Sequence, residues 1–244
     1  MTECSLERLY ENPATPLSSG PERAKLQAEI LAGIATLAKR PLRAVDIGCG
    51  DGTATAAAAL WCRETPGADV TLIGMDWSPA ALEQARRRGV LVARASIDRC
   101  GLPLAPGSVD VVVMSEVIEH LVDTDGALEE ARRVLVPGGN LLLSTPNLAA
   151  WYNRVLLALG IQPLFTEVSL RGIYGRPGRQ VAGHLRIFTR RALTDLVRAA
   201  GFVEVRVTGA PYHDVPRLFR PLDRLLCHTP SLSSILLLTA RRPL

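Results

Sequence analysis

Apolar runs and polar punctuation alternate along the chain with a regular beat. Around residues 21–39, apolar positions recur at helical spacing, and a strand follows from Arg43 to Asp46. After the glycines of "VDIGCGDGT", the alanine-rich "TATAAAALWCRE" reads as a helix. "VTLIGMD" (70–76) is a second strand, and "SPAALEQARRRG" (78–89) is a helix capped by Ser78, with Pro79 in its first position. "VLVARAS" makes a third strand, and "VDVVVMSE" (109–116) a fourth, continuously apolar as a strand buried on both faces should be. "DTDGALEEARRVLVPGG" predicts a helix stopped by Pro-Gly-Gly, with "NLLLSTP" as the fifth strand.

Strands alternating with helices at this spacing predict a doubly wound α/β fold with a mostly parallel sheet. The last third breaks the rhythm: a helix at 189–201, a strand in "FVEVRVTG", and a final strand in "SSILLLTARR". The last two strands have only a proline-rich stretch between them, with room for one short helix, so the final strand is expected to insert antiparallel. There is no internal repeat or low-complexity linker, which makes 1–244 a single domain with an N-terminal helical segment, 1–40.

The glycine loop decides the ligand class. A dinucleotide fingerprint wants G-x-G-x-x-G/A, but Gly48, Gly50 and Gly52 give G-x-G-x-G, and Thr53 stands where the third fingerprint glycine belongs. No Gly-Lys-Ser/Thr follows, which excludes a phosphate-cradling Walker loop. Asp46 and Asp51 would repel a phosphate and suit a ligand carrying a cation. Asp76, at the end of the second strand, can accept from both hydroxyls of a ribose. Asp98 can accept from an adenine amino group while Ile97 packs on the ring. An adenosine with a positive centre, an amino-acid end and no phosphate describes S-adenosylmethionine.

On "VDIGCGDGT", "GMDWS", "SIDRCGLPL", "VDVVVMSEVIEHL" and "RRVLVPGGNLLLSTPN", the chain resembles the class I S-adenosylmethionine-dependent methyltransferases, in the group with ubiquinone-biosynthesis and MetW-type members. The resemblance covers roughly residues 43–208 and departs from the family pattern at Val109, a packing position where Phe is usual. It implies a Rossmann-like, seven-stranded sheet with an antiparallel last strand and helices on both faces. It also implies a cofactor site of Asp46, Gly48, Cys49 and Gly50 around the methionine part, with Asp76 and Trp77 at the ribose. Ser96, Ile97 and Asp98 fall at the adenine, and Ser115, Glu116 and Val117 beside the methyl group.

The connection at 147–188 is far longer than such sheets normally use, and long connections over a crevice are lids or substrate walls. Its Trp151, Tyr152, Asn153, Tyr174 and His184 suit a grip on an organic acceptor. An oxygen or protonated amine acceptor needs a base, for which His184 and His120 are the candidates; His213 and His228 read as structural or exposed. The "PN…W…R…G" opening is similar to MetW-type sequences, so a cofactor-binding partner protein acting in a complex is the alternative to an autonomous enzyme methylating O or N of a small molecule.

Composition narrows the picture further. With 48% apolar and 21% charged residues the chain is an ordinary globular protein. The net charge of +4 comes almost wholly from arginine, Lys25 and Lys39 being the only lysines, and it argues for no nucleic-acid surface. No apolar run reaches the roughly 18–20 residues of a membrane span, and the acidic start ("MTECSLERLYENP") is unlike a signal peptide, so a cytoplasmic protein is expected. "VPRLFRPLDRLL" (215–226) interleaves arginine with leucine, as a surface touching a membrane or acyl chain would, but its prolines favour a helix packed near the site mouth. The five cysteines (Cys4, Cys49, Cys62, Cys100, Cys227) form no CxxC pair, and the histidine spacing suggests no metal site.

Overall fold

The computed structural model describes residues 20–98, 101–178 and 181–244. The part of the expected N-terminal helical segment before residue 20 lies outside the described residues, as do Cys4 and Cys100. Helix α1 (Pro21–Ala38) leads into β1 (Leu42–Ile47), α2 (Thr53–Glu64), β2 (Val70–Asp76), α3 (Pro79–Arg87) and β3 (Leu91–Arg94). Then follow β4 (Val109–Ser115), α4 (Thr124–Val134), β5 (Leu135–Pro146), α5 (Trp151–Ala158), α6 (Arg190–Ala199), β6 (Val203–Ala210), α7 (Arg220–Leu226) and β7 (Ile235–Arg241).

The seven strands lie in the order β3-β2-β1-β4-β5-β7-β6. β1 pairs parallel with both β2 and β4, while β7 runs antiparallel between β5 and β6. The chain winds outward from β1 in both directions, so the loops after β1 and β4 diverge and open a crevice at the carboxyl ends of those strands. Along β4 the side chains alternate. Val112 and Met114 face one core with Leu128, Leu193 and Phe202, and Val111 and Val113 face the other with Leu31 and Ala35. Burial on both faces is why this strand is apolar without interruption.

One element ends differently from its sequence pattern. α4 stops at Val134, and Pro-Gly-Gly lies inside the twelve-residue β5 instead of ending the helix. Gly138 has φ +75°, and a Cβ on Gly139 would lie 2.9 Å from the Val136 carbonyl and 3.0 Å from that of Asp110. The glycines let the chain turn directly from helix into strand, and the β4–β5 register shifts between Val109 and Val111 to accommodate it.

Candidate functional site

The three loop glycines all have left-handed φ, +71°, +54° and +77° at Gly48, Gly50 and Gly52, but they make room for different things. A Cβ on Gly48 would collide with the Val117 side chain. One on Gly52 would come within 2.8 Å of the Ala85 backbone, so that glycine lets α3 pack closely. Gly50 has nothing within 4 Å and faces open space. Cys49 lies buried under the loop against Gly74, and burial pushes its thiol pKa up, so it is inert packing.

Beneath the loop, Asp46 is only 6% exposed. Its Oδ2 accepts from the Thr55 hydroxyl at 2.6 Å, and its Oδ1 has no partner among the described residues. Burial pushes its pKa up to about 6, against the opposing effect of Thr55. Gln27, from α1, lines the same small cavity as Asp46, Leu31, Val113 and Ser115. The Gln27 Oε1 accepts from Arg23 (3.0 Å) and Ser115 (2.8 Å), which fixes the amide orientation and leaves its Nε2 buried without a partner among the described residues. A bare acceptor and a bare donor on one cavity are complementary to an amino-acid end, whose ammonium donates and whose carboxylate accepts. The residues present therefore fit the methionine part of S-adenosylmethionine.

Asp76 is buried, with Oδ2 accepting from Gly50 N at 3.0 Å and Oδ1 from Ser78 N at 2.8 Å. Each oxygen keeps a lone pair for a ribose hydroxyl. Its carboxylate thus also ties the glycine loop to the start of α3, a second duty that the sequence did not reveal. Trp77 lies between this carboxylate and Ser78, its carbonyl accepting from Arg94. Asp98 accepts from the backbone of Val122 and Asp123 at 2.9–3.1 Å, and so holds the turn that opens α4. Ile97 is part of the core with Met75, Leu102 and Leu121, and Ser96 makes an isolated bridge with Gly101.

After β4 the chain turns sharply at Glu116, with φ +57°. Glu116 accepts from the Ser144 hydroxyl at 2.9 Å and lies 3.9 Å from the buried Arg23 guanidinium. The next turn carries Glu119 and His120. Glu119 is fully buried, its Oε2 accepting from Thr145 at 2.9 Å and its Oε1 without a partner among the described residues. Burial and then the Glu116 charge raise its pKa well above the ordinary value.

The two candidate histidines, 64 residues apart in sequence, meet here, with ring centroids 4.7 Å apart. His184 is 7% exposed, and burial pushes both imidazoles down to about 4, with the neighbouring ring adding to the effect at His120. Both are neutral at pH 7. Stripping a hydroxyl of its proton would need an imidazolium to form in this dry environment, so the pair is a weaker base than histidines in water.

The segment 147–188 is braced from within. Glu167, which stands in no recognisable motif, accepts from the backbone N–H groups of Ala182, Gly183 and His184 and from Arg176. Asn153 spends both ends of its amide on the backbone of Leu164 and Asn147 and acts as a brace. The Trp151 indole donates to the buried Asp223 of α7 at 2.9 Å, and its ring packs on Phe219, which places the 215–226 stretch against this segment. The Tyr152 ring is edge-on to Trp151, and burial raises its phenol pKa. Tyr174, 60% exposed, stands apart from the cluster. Phe165 and Tyr212, both missed in the sequence, do join it: their rings are T-shaped at 5.1 Å, with Phe165 5.8 Å from His184. Neither lies in a motif, and only the fold brings them together.

A family model for a methyltransferase domain matches residues 22–207. A 37.1 kDa protein from a Streptomyces fradiae transposon is 41% identical over 109 residues, covering 43% of this chain and 30% of that protein. Trans-aconitate 2-methyltransferase of Methylobacterium radiotolerans is 32% identical over 215 residues, covering 78% of this chain and 79% of that protein. The chain spans about half the length, 53%, of a relative in Mycolicibacterium smegmatis. Among solved structures, Haemonchus contortus phosphoethanolamine N-methyltransferase 2 in complex with S-adenosyl-L-methionine shares the fold, with a TM-score of 0.58 and 15% identity, covering 90% of this chain and 53% of that one.

Proposed function

This chain belongs to the S-adenosylmethionine-dependent methyltransferases, and we propose that it transfers the methyl group to an oxygen or nitrogen of a small organic acceptor bound against segment 147–188. S-adenosylmethionine, when bound, supplies an electrophilic methyl on a sulfonium. The protein's task is then to hold both partners in line and keep water out. Asp46 and Gln27 would hold the amino-acid end, Gly50 would give it backbone clearance, and Asp76 would take the ribose. Glu116, Phe165, Tyr212 and the two histidines would wall the acceptor.

The observation that carries this reading is the pair of bare, buried polar atoms on Asp46 and Gln27, two residues that line one small cavity. The Methylobacterium radiotolerans relative, a methyltransferase matched over most of its length, favours an enzyme over a partner protein. No helix of the described residues is long and apolar enough to cross a membrane.

Incubating the isolated chain with S-adenosylmethionine and a library of hydroxy, carboxy and amino compounds, and following S-adenosylhomocysteine release, tests the proposal. Turnover with one chemical class is expected, and it should fall for Tyr212→Phe or His184→Ala at unchanged cofactor affinity. Cofactor binding without acceptor-dependent release across the library would overturn it.

A further inference from the structure

Glu116 combines an unusual backbone with a carboxylate that is only half used. Its φ of +57° is uncommon for a residue that carries a Cβ, and such strain gathers at functional sites. It stands between Ser115, whose hydroxyl donates to Gln27, and Val117, whose side chain lies where a Cβ on Gly48 would. Ser144 donates to its Oε1 at 2.9 Å, and Arg23 lies 3.9 Å from the same oxygen. Oε2 has no partner among the described residues, and 29% of the side chain is exposed. Taking the methyl-transfer reading as its premise, we infer that the acceptor is a primary or secondary amine, with Glu116 as its counterion and the Phe165 and Tyr212 rings against its organic part.

The charges suit a cation. Burial, and then the carboxylates of Asp214 and Glu116, push the Tyr212 phenol up to about 12, so both negative charges act on the ring that meets Phe165 at 5.1 Å. Aromatic rings beside a carboxylate attract an ammonium group. The arginines of this region are already committed. Arg23 donates to Gln27 and Ser144, Arg176 to Glu167, and Arg220 to the carbonyls of Val215 and His213. A carboxylate acceptor would meet like charge on Glu116 and Asp214 without a spare cation from these three.

The chemistry points the same way. A hydroxyl acceptor needs a base, and burial holds both imidazoles, at about 4, too weak for that work. A neutral amine needs no base before the transfer. Its lone pair forms the new nitrogen–carbon bond, the carbon–sulfur electron pair stays with sulfur, and the positive charge passes to nitrogen. One N–H proton then leaves to water. A fixed negative charge beside the nitrogen stabilises the charge that develops there, and it acts more strongly where water is scarce.

The test gives the whole chain S-adenosylmethionine and matched sets of amine, alcohol and carboxylic acid built on the same alkyl and arylalkyl skeletons. S-adenosylhomocysteine release is followed, and mass spectrometry locates the transferred methyl. Calorimetry with S-adenosylhomocysteine present reads amine binding apart from turnover. Methylation at nitrogen, confined to amines, is expected. Glu116→Gln keeps an acceptor for Ser144 and should weaken amine binding and lower kcat/KM about tenfold or more. Glu116→Asp keeps the charge and should restore much of the loss, which a folding defect would not allow. Turnover of alcohols or acids in place of amines overturns the inference and leaves the methyl-transfer reading standing. No turnover with any set overturns both, and parental amine binding and kinetics in Glu116→Gln overturn the inference alone.

Discussion

Glu167→Gln isolates the device that builds the far wall of the site. The native carboxylate takes four donors: Ala182 N at 2.6 Å, Gly183 N at 2.7 Å, His184 N at 3.1 Å and Arg176 Nη2 at 3.0 Å. Both side chains of the ion pair are almost wholly buried, 7% exposed at Arg176 and 2% at Glu167. The amide removes the countercharge from Arg176 and turns an N–H₂ toward donors that need an acceptor. Breaking one partner of a buried pair costs about 3–5 kcal/mol. The segment can instead open locally into water, so the loss is confined to 147–188 rather than spread over the sheet. Hydrogen exchange at residues 182–184 reads this directly. At about 1.4 kcal/mol per tenfold, protection should fall by roughly two to three and a half orders of magnitude. Calorimetry should find S-adenosylmethionine affinity unchanged, because none of these groups lies in the glycine loop. Native-like protection at 182–184 would refute the reasoning, and so would protection lost equally across β1 and β4.

Gly50→Ala and Gly52→Ala should separate binding from folding. The first adds a side chain in open space at φ +54° and should cost about 1–2 kcal/mol in stability while blocking the cofactor. The second drives a Cβ into the α3 backbone and should cost more, about 3 kcal/mol, read by denaturant titration. Asp46 sets a pH dependence. Its folded pKa, about 6, lies above the ordinary 3.8, so its contribution to stability is full below pH 3.8 and is lost as pH rises through 6. A cationic cofactor group prefers the anion, so affinity should run the opposite way, rising about tenfold from pH 5 to pH 7 by calorimetry; a flat profile would place the ammonium elsewhere. Asp76→Ala should lower both the thermal midpoint and cofactor affinity, since it removes the acceptor for Gly50 N and Ser78 N as well as for the ribose, about 1.5–3 kcal/mol for each function.

The sequence by itself determined what depends on near neighbours in the chain. Period-two alternation and continuous apolar runs marked the strands, Ser78 and Pro79 the start of α3, and the missing crossover before the last strand its antiparallel insertion. The cofactor loop was legible for the same reason: Asp46, the glycines and Asp76 stand at the ends of consecutive strands, and a parallel sheet brings consecutive strand ends together. Even there, local pattern failed once, at Pro-Gly-Gly, where a helix-stop signal turned out to be a bulge set by the approach of the Asp110 carbonyl. Only the tertiary structure decided the rest. That Gly48 makes way for Val117 and Gly52 for α3, that Gln27 and Asp46 line one cavity, and that His184 returns to His120 all depend on contacts across tens of residues. Such contacts leave no periodic trace in the chain. They arise because packing and the need to satisfy buried polar groups are settled in three dimensions, with Glu167 and Asp223 binding distant backbone groups that no spacing rule connects.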